Sequence, residues 1–257
     1  MTSTLSNSLS VAATATYSVT PTSGSCTNGA VFTVTVTVNP VANISSQAGT
    51  ACSSLGFSYT PTGTIPTGTT YAWSSPSLDP SLSGGSSGTG SSTVTSTLSN
   101  SLSVAATATY SVTPTSGSCT LGTVFTVTIT VNPIATIAAQ STSTCTAVAF
   151  NYTPTGTIIP SGTTYAWSSP SGSGFTGGAS GAAGNATLTG TLINTTSVAA
   201  TATYSVTPAS GSCTNGSAFT VSVEIDPVAA ISAQATTQCS GVNFSYCLLY
   251  TSPSPRD

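Results

Sequence analysis

Histidine and lysine are absent from the 257 residues, arginine occurs once, and there are four acids. Asp79, Glu224, Asp226, Arg256 and Asp257 are the whole charged inventory. Specific binding to a polyanion needs clustered Lys or Arg to displace counterions, so nucleic acid is excluded as a partner. General acid–base catalysis draws mainly on His, Glu, Asp or Lys. Three scattered acids ahead of Arg256 are a poor supply, no catalytic residue can be assigned, and the chain is expected not to be an enzyme. No apolar run approaches the roughly 18 residues that span a bilayer as a helix, so no membrane insertion is expected. The first residues show no basic region followed by an apolar one, as a secretory signal would. A mean hydropathy of +0.29 with a net charge of −3 closes the charge-rich route to disorder.

What is abundant is hydroxyl: 53 Thr and 47 Ser. They fall in repeats. Residues 2–45 align with 95–138 at an offset of 93, with 38 of 44 positions identical. "ATATYSVTP" occurs at Ala13–Pro21, Ala106–Pro114 and Ala200–Pro208, and "TTYAWSSPS" at Thr69–Ser77 and Thr163–Ser171. A period of this size is that of a whole domain, too long for a solenoid unit. The reading is a partial repeat over 1–40, full repeats over 41–133 and 134–227, and the start of another over 228–246. Asn39-Pro40, Asn132-Pro133 and Asp226-Pro227 close the copies. Proline lacks an N–H and suits a strand end and a stiff junction. Met1 occupies the position of Val94, as a false start inside a repeat would. From Cys247 to Asp257 the text leaves the repeat and resembles one reading frame of a transposase sequencing adapter, so these residues are discounted as protein.

Period-two alternation marks strands. In Val124–Asn132, Phe125, Val127, Ile129 and Val131 alternate with Thr126, Thr128 and Thr130. In Ala105–Pro114, Ala106, Ala108, Tyr110 and Val112 alternate with hydroxyl residues. Apolar side chains should face inward and branched Thr outward. "SGSCTLG" supplies the hairpin turn between them. Phe57–Thr62, Thr69–Ser75 and Thr93–Leu98 are shorter candidates, and Val41–Gln47 is the expected first strand. The predicted fold is all-β: tandem antiparallel sandwiches of immunoglobulin type. Trp73, Tyr110 and Phe125, with Trp167, Tyr204 and Phe219 in the next copy, are the predicted core aromatics.

"YAWSSPS…TATYSVTPTSGSCT…FTVTITVNP" resembles the PKD-like and immunoglobulin-like repeats of large surface proteins of gliding bacteria and their relatives, over essentially all of residues 1–246. The resemblance implies an exported adhesin or a giant multidomain protein that uses the repeats as a stalk. It places them outside the cell or on its surface, with an unidentified surface glycan or protein and the neighbouring repeats as partners. The aspartate-rich turn of better-known PKD repeats is missing, so no calcium role carries over.

Short motif matches dissolve on inspection. Gly84-Gly85-Ser86-Ser87-Gly88 fits a nucleophile elbow, which needs a strand-to-helix turn and a His base. Gly172, Gly174 and Gly177 fit a dinucleotide fingerprint, which needs a following helix. Both lie in the same Gly/Ser loop of successive copies with different spacings. Cysteines 26 residues apart within pairs and 67 or 68 between pairs, without His, make no zinc site; no metal and no cofactor is expected. Asp79 reads as a turn residue. Glu224 and Asp226 replace solvent-face residues of the last strand. The Thr ladders (Thr33, Thr35, Thr37; Thr126, Thr128, Thr130) read as the wet face of an edge-side strand rather than an ice- or glycan-facing array. Asn43, Asn151, Asn185, Asn194, Asn215 and Asn243 open chance sequons in a Ser/Thr-rich chain. Without Lys, intramolecular Lys–Asn isopeptide bonds cannot form.

Setting Cys247 aside leaves six cysteines at fixed spacing, which suggests disulfides. Two connectivities keep the repeat symmetry. One closes each domain, Cys52–Cys119 and Cys145–Cys213, leaving Cys26 and Cys239 without partners. The other links neighbours, Cys26–Cys52, Cys119–Cys145 and Cys213–Cys239. Closure within the domain is preferred because linking neighbours spans a domain's length, although it requires the strand near Cys52 to shift. Two functions stay open. One is a non-catalytic stalk, spacer or adhesive region of a large secreted or cell-surface protein. The other is accessory repeats, glycan-binding or not, of a secreted hydrolase whose catalytic domain lies elsewhere.

Overall fold

The computed structural model describes residues 2–25, 29–117, 119, 122–211, 213, 216–229, 233 and 235–245. The Met1 reading, Cys26, Asn215 and the tail from Cys247 lie outside them. The chain divides into two compact units, Met1–Pro133 and Ile134–Asp257.

The first unit opens with a hairpin, β1 (Ala13–Val19) and β2 (Phe32–Val38). Then come β3 (Gln47–Cys52), β4 (Gly56–Tyr59), β5 (Thr70–Trp73), β6 (Ser77–Leu78), β7 (Leu82–Gly84), β8 (Gly88–Ser91), β9 (Val94–Asn100), β10 (Ala106–Thr115) and β11 (Phe125–Asn132). The second unit repeats the series as β12 (Gln140–Cys145), β13 (Ala149–Tyr152), β14 (Thr164–Trp167), β15 (Phe175–Gly177), β16 (Gly181–Asn185), β17 (Leu188–Asn194), β18 (Ala200–Ala209) and β19 (Phe219–Asp226). No helix occurs among the described residues.

Each full repeat is a two-sheet sandwich. One sheet runs β3-β11-β10-β5-β8, with β6 on β10, and faces β4-β9-β7; the second copy has β12-β19-β18-β14-β16 and β13-β17-β15. The alternation of the long strands decides the core. Phe125, Val127, Ile129 and Val131 of β11 are buried, as are Ala106, Ala108, Tyr110 and Val112 of β10, and they meet Val94 and Leu98 of β9. Burying a valine or isoleucine is worth roughly 1.5–3 kcal/mol, so these strands dominate the fold. Aromatic pairs lock the layers edge to face, Phe57 on Tyr110 at 5.9 Å and Tyr71 on Phe125 at 6.1 Å, and recur as Phe150–Tyr204 and Tyr165–Phe219.

Two strand expectations are corrected. Val41–Gln47 is not the first strand: Ala42 and Ile44 are buried, but only Asn43 bridges to Thr64, and the strand proper is Gln47–Cys52. It runs parallel to β11, against the antiparallel remainder, from Gln47 opposite Val127 to Cys52 opposite Asn132. That flank also makes β11 an interior strand, so the ladder Thr126, Thr128, Thr130 sits mid-sheet and half-buried rather than on an edge-side strand. Thr33, Thr35 and Thr37 lie exposed on the two-stranded hairpin.

Residues 134–227 carry a complete sandwich and a contiguous core of their own. Expressed alone, they are expected to unfold in one cooperative thermal transition. A gradual, baseline-like melt followed by circular dichroism would show that the repeat depends on its neighbours.

Candidate functional site

Successive repeats present the same surface groove, formed where the loop after β7, or after β15 in the next copy, passes beside β9 or β17. In one copy it is lined by Phe57, Gly84, Gly85, Ser86 and Thr95–Thr97, and in the other by Trp167, Gly177–Ser180 and Thr189–Thr191. Both motif matches fall here, and neither has its chemistry. Ser86 precedes a strand, not a helix; its N–H donates to Ser96 Oγ (2.9 Å) and its carbonyl accepts the Trp73 indole N–H (3.0 Å). The equivalent Trp167 donates to the Ala179 carbonyl (3.1 Å). Gly177 leads through a loop to β16; its φ is +89°, and a Cβ there would lie 2.7 Å from the Thr191 carbonyl oxygen. The glycine therefore serves close backbone approach. The groove offers hydroxyls, backbone amides and aromatic edges, with no ionisable group among its lining residues.

Beneath it lie the Tyr110 and Tyr204 rings, both fully buried. Their hydroxyls find no hydrogen-bond partner among the described residues. Burial pushes both phenol pKa values up. Burial likewise raises Tyr71 and Tyr165. A phenol that keeps its proton longer in the folded state adds stability below its unfolded pKa, about 10, and loses it as pH rises through the folded value. Stability is therefore expected to fall above pH 10. In an absorbance titration at high pH these four phenolates should appear only with unfolding; ionisation of all four well before the circular dichroism changes would contradict their burial.

The other sequence-selected residues are accounted for. Trp73, Trp167, Phe125 and Phe219 are buried with the two tyrosines. Asp79 closes a turn, its Oδ1 accepting from Ser81 N–H (3.0 Å) and Ser81 Oγ (2.8 Å), which holds its pKa below the usual carboxylate value. Glu224 and Asp226 are exposed on β19. Among the described residues no group of three or more His, Cys, Asp or Glu could hold a metal ion.

The cysteines correct the preferred pairing. Cys52 and Cys213 are disulfide-bonded, while Cys119, Cys145 and Cys239 carry free thiols. Neither Cys52–Cys119 nor Cys145–Cys213 forms, and the neighbour links Cys119–Cys145 and Cys213–Cys239 are equally ruled out. The reason is the parallel edge strand. It carries Cys52 to Asn132, the far end of β11, whereas Cys119 sits in the turn before Phe125. The rise along β11 separates them by roughly 23 Å, and a disulfide needs Cα atoms within about 7 Å.

Sequence reasoning missed a set of polar brackets. Asn100, read as anonymous sequence, is buried; its Nδ2 donates to the Val104 (2.8 Å) and Val131 (3.0 Å) carbonyls and its Oδ1 accepts Leu102 N–H (3.0 Å). Asn194, read as a chance sequon, repeats this with Val198, Ile225 and Thr196, and Asn7 with Val11, Val38 and Leu9. Gln47 clamps the opposite edge: its Oε1 accepts from Tyr59 Oη (3.0 Å) and Thr62 N–H (3.1 Å), as Gln140 does from Tyr152 and Thr155. Recurrence of Asn and Gln at the repeat offset was the available signal.

A family model described as PKD-like domain matches residues 1–42, 49–135 and 142–229. No curated protein matches the chain. Among solved structures, an endo-fucoidan hydrolase of glycoside hydrolase family 107 is 14% identical over 85% of this chain and 34% of its own, with a TM-score of 0.26. A SusE-like surface-located polysaccharide-binding protein from the Bacteroides thetaiotaomicron heparin utilisation locus is 11% identical over 73% of this chain and 34% of its own (TM-score 0.29). An I-band fragment of titin is 11% identical over 77% of this chain and 70% of its own (TM-score 0.29). The chain thus spans about a third of the length of the first two.

Proposed function

Because the chain belongs to the PKD-like domain family, we propose that it is a non-catalytic structural region of a larger secreted or cell-surface protein, in which tandem sandwiches act as a spacer. One observation carries this reading. The internal bonds are rebuilt in successive repeats, while the groove keeps its glycines and threonines but not its serine hydroxyls. Trp73 and Trp167, Asn100 and Asn194, Gln47 and Gln140 make the same bonds. In the groove, Ser86 and Ser96 are replaced by Ala179 and Gly190, which removes two hydroxyls. A binding module repeated for avidity would keep its contact groups; a spacer need keep only its fold.

The test is calorimetric titration of the intact chain with a panel of neutral and anionic polysaccharides, together with small-angle scattering of one-, two- and four-repeat proteins. The spacer reading expects no saturable heat and a maximum dimension that grows by a constant increment per repeat. Saturable binding to one polysaccharide would instead favour accessory glycan-binding repeats of a secreted hydrolase.

A further inference from the structure

We infer that the peptide bond between Asp226 and Pro227 is a self-cleavage site: in acid, the Asp226 carboxylate attacks its own main-chain carbonyl carbon and severs the chain where a repeat ends.

Three Pro-containing junctions close repeats, and one differs in chemistry. Asn39-Pro40 and Asn132-Pro133 carry side-chain amides, whereas Asp226-Pro227 carries a carboxylate. An Asp carboxylate is a nucleophile that forms covalent intermediates. Held on the same residue as its target carbon, it attacks without the entropy cost of bringing two molecules together. Proline makes the bond a tertiary amide. Its nitrogen is more basic than that of an ordinary peptide and leaves more readily once protonated.

The fold leaves this carboxylate free to react. Asp226 is exposed at the last position of β19, and its side chain makes no hydrogen bond or ion pair among the described residues. Its main-chain carbonyl oxygen accepts Thr146 N–H (3.0 Å). A donor on that oxygen stabilises the charge that gathers there as the carbon becomes tetrahedral. The titratable side chains that face Asp226 are Glu224, two residues back on the same side of β19, and Cys145, opposite it in register on β12. β18, on the other flank, sets Thr201 opposite Glu224 and brings no ionisable group to this face.

The chain's other Asp–Pro bond is Asp79–Pro80. There Oδ1 accepts from Ser81 N–H (3.0 Å) and Ser81 Oγ (2.8 Å). Both bonds must break before that oxygen can turn on its own carbonyl, so the turn protects the peptide bond it closes.

Acid reaches Asp226 in a folded chain. Acid unfolding comes mostly from protonating paired carboxylates and charging buried His. This chain has no His and three acids ahead of Arg256. Ionised Asp79 stabilises its turn above the unfolded carboxylate pKa and ceases to do so as pH falls through the folded value, a local loss at an exposed turn. The core of the second full repeat is apolar and has nothing to titrate in acid.

The step balances with water and hydronium as the only co-reactants. An Asp226 Oδ lone pair forms the bond to the carbonyl carbon. The C–N bond breaks, its electron pair stays on the Pro227 nitrogen, and that nitrogen takes a proton from hydronium and leaves as a secondary amine. Asp226 is left as a cyclic anhydride, which one water opens to two carboxyl groups. Residues 1–226 part from whatever follows, which gives the row of repeats a joint that acid opens.

The test is mass spectrometry of the intact chain held at pH 3 and at pH 7, with and without urea, while circular dichroism reports the fold. In the folded chain at pH 3, residues 1–226 and a remainder beginning at Pro227 should accumulate, their masses summing to the parent plus one water. The cut at Asp79–Pro80 should lag behind, and at pH 7 the chain should stay whole. In urea at pH 3 both bonds should be cut at similar rates, because unfolding releases Asp79 from Ser81. Asp226→Asn should keep the fold and lose the cut at 226. A folded parent that stays whole at pH 3, or a cut that persists in Asp226→Asn, would overturn the inference. Equal cutting at the two sites in the folded chain, or a preference for Asp226 that survives in urea, would overturn the part assigned to the fold.

Discussion

Replacing Trp167 with alanine is expected to cost the second full repeat about 3–5 kcal/mol, the usual range for deleting a buried Trp. The ring is 7% exposed, its Nε1 is bonded to Ala179, and it lies flat against Gly181, where a Cβ would come within 2.3 Å of the indole. It fills the space left by the register shift between β14 and β16, at Tyr165 and Trp167. Removing it empties that space and frees a backbone carbonyl together. A domain of this size has a total stability of about 5–15 kcal/mol, so the loss is a large share. The chain has two tryptophans, one in each full repeat, which makes the measurement clean. In Trp167→Ala the remaining Trp73 reports the first full repeat alone. Urea titration by circular dichroism should show an early transition absent from the parent, while Trp73 fluorescence keeps its midpoint. A Trp73 midpoint that moves equally would mean the repeats unfold as one unit. The complementary change, Gly181→Val, forces a side chain into the indole and should cost about 1–3 kcal/mol by overpacking.

Asn100→Ala is expected to destabilise the first full repeat by about 2–4 kcal/mol. It leaves the Val104 and Val131 carbonyls and the Leu102 N–H without their partner in a buried setting, and each stranded polar group costs roughly 1–3 kcal/mol before local relaxation. Asn100→Asp separates hydrogen bonding from volume. It keeps the acceptor for Leu102 but turns the two donors into an oxygen facing two carbonyls. The folded state should then hold the carboxyl protonated, with its pKa raised above the unfolded value near 4. Stability is therefore present at acidic pH and lost as pH rises through the folded pKa. A variant equally stable at pH 3 and pH 7, by urea midpoint, would show that the bracket is incidental.

Both predictions concern residues of different legibility. Trp73 and Trp167 stand out in a chain of hydroxyls, and their place on the third strand of an immunoglobulin-type sandwich is one where a Trp is often buried. Asn100 and Asn194 gave no such sign, because an Asn in "TLSNSLS" or "LINTTS" reads as turn or sequon. Their partners, Val131 and Ile225, are 31 residues away, and only folding brings those carbonyls within reach.

The sequence by itself determined the repeat, its length, the long strands, the inward register of Phe125, Tyr110 and their equivalents, and the poverty of ionisable groups. All of these depend on local period or on composition, and period two survives any tertiary arrangement that buries one face. Only the tertiary structure decided the edge strand. "QAGTAC" has no clean alternation, and the expected first strand, Val41–Gln47, ends where the observed one begins. What places Gln47–Cys52 is the unpaired edge of β11, the clamp from Gln47 to Tyr59 and Thr62, and the direction of chain entry, none of which is written in six residues. That strand's parallel run carries Cys52 away from Cys119 to the far end of its repeat, and so the Cys52–Cys119 bond that spacing seemed to offer is excluded by a strand direction that spacing cannot encode.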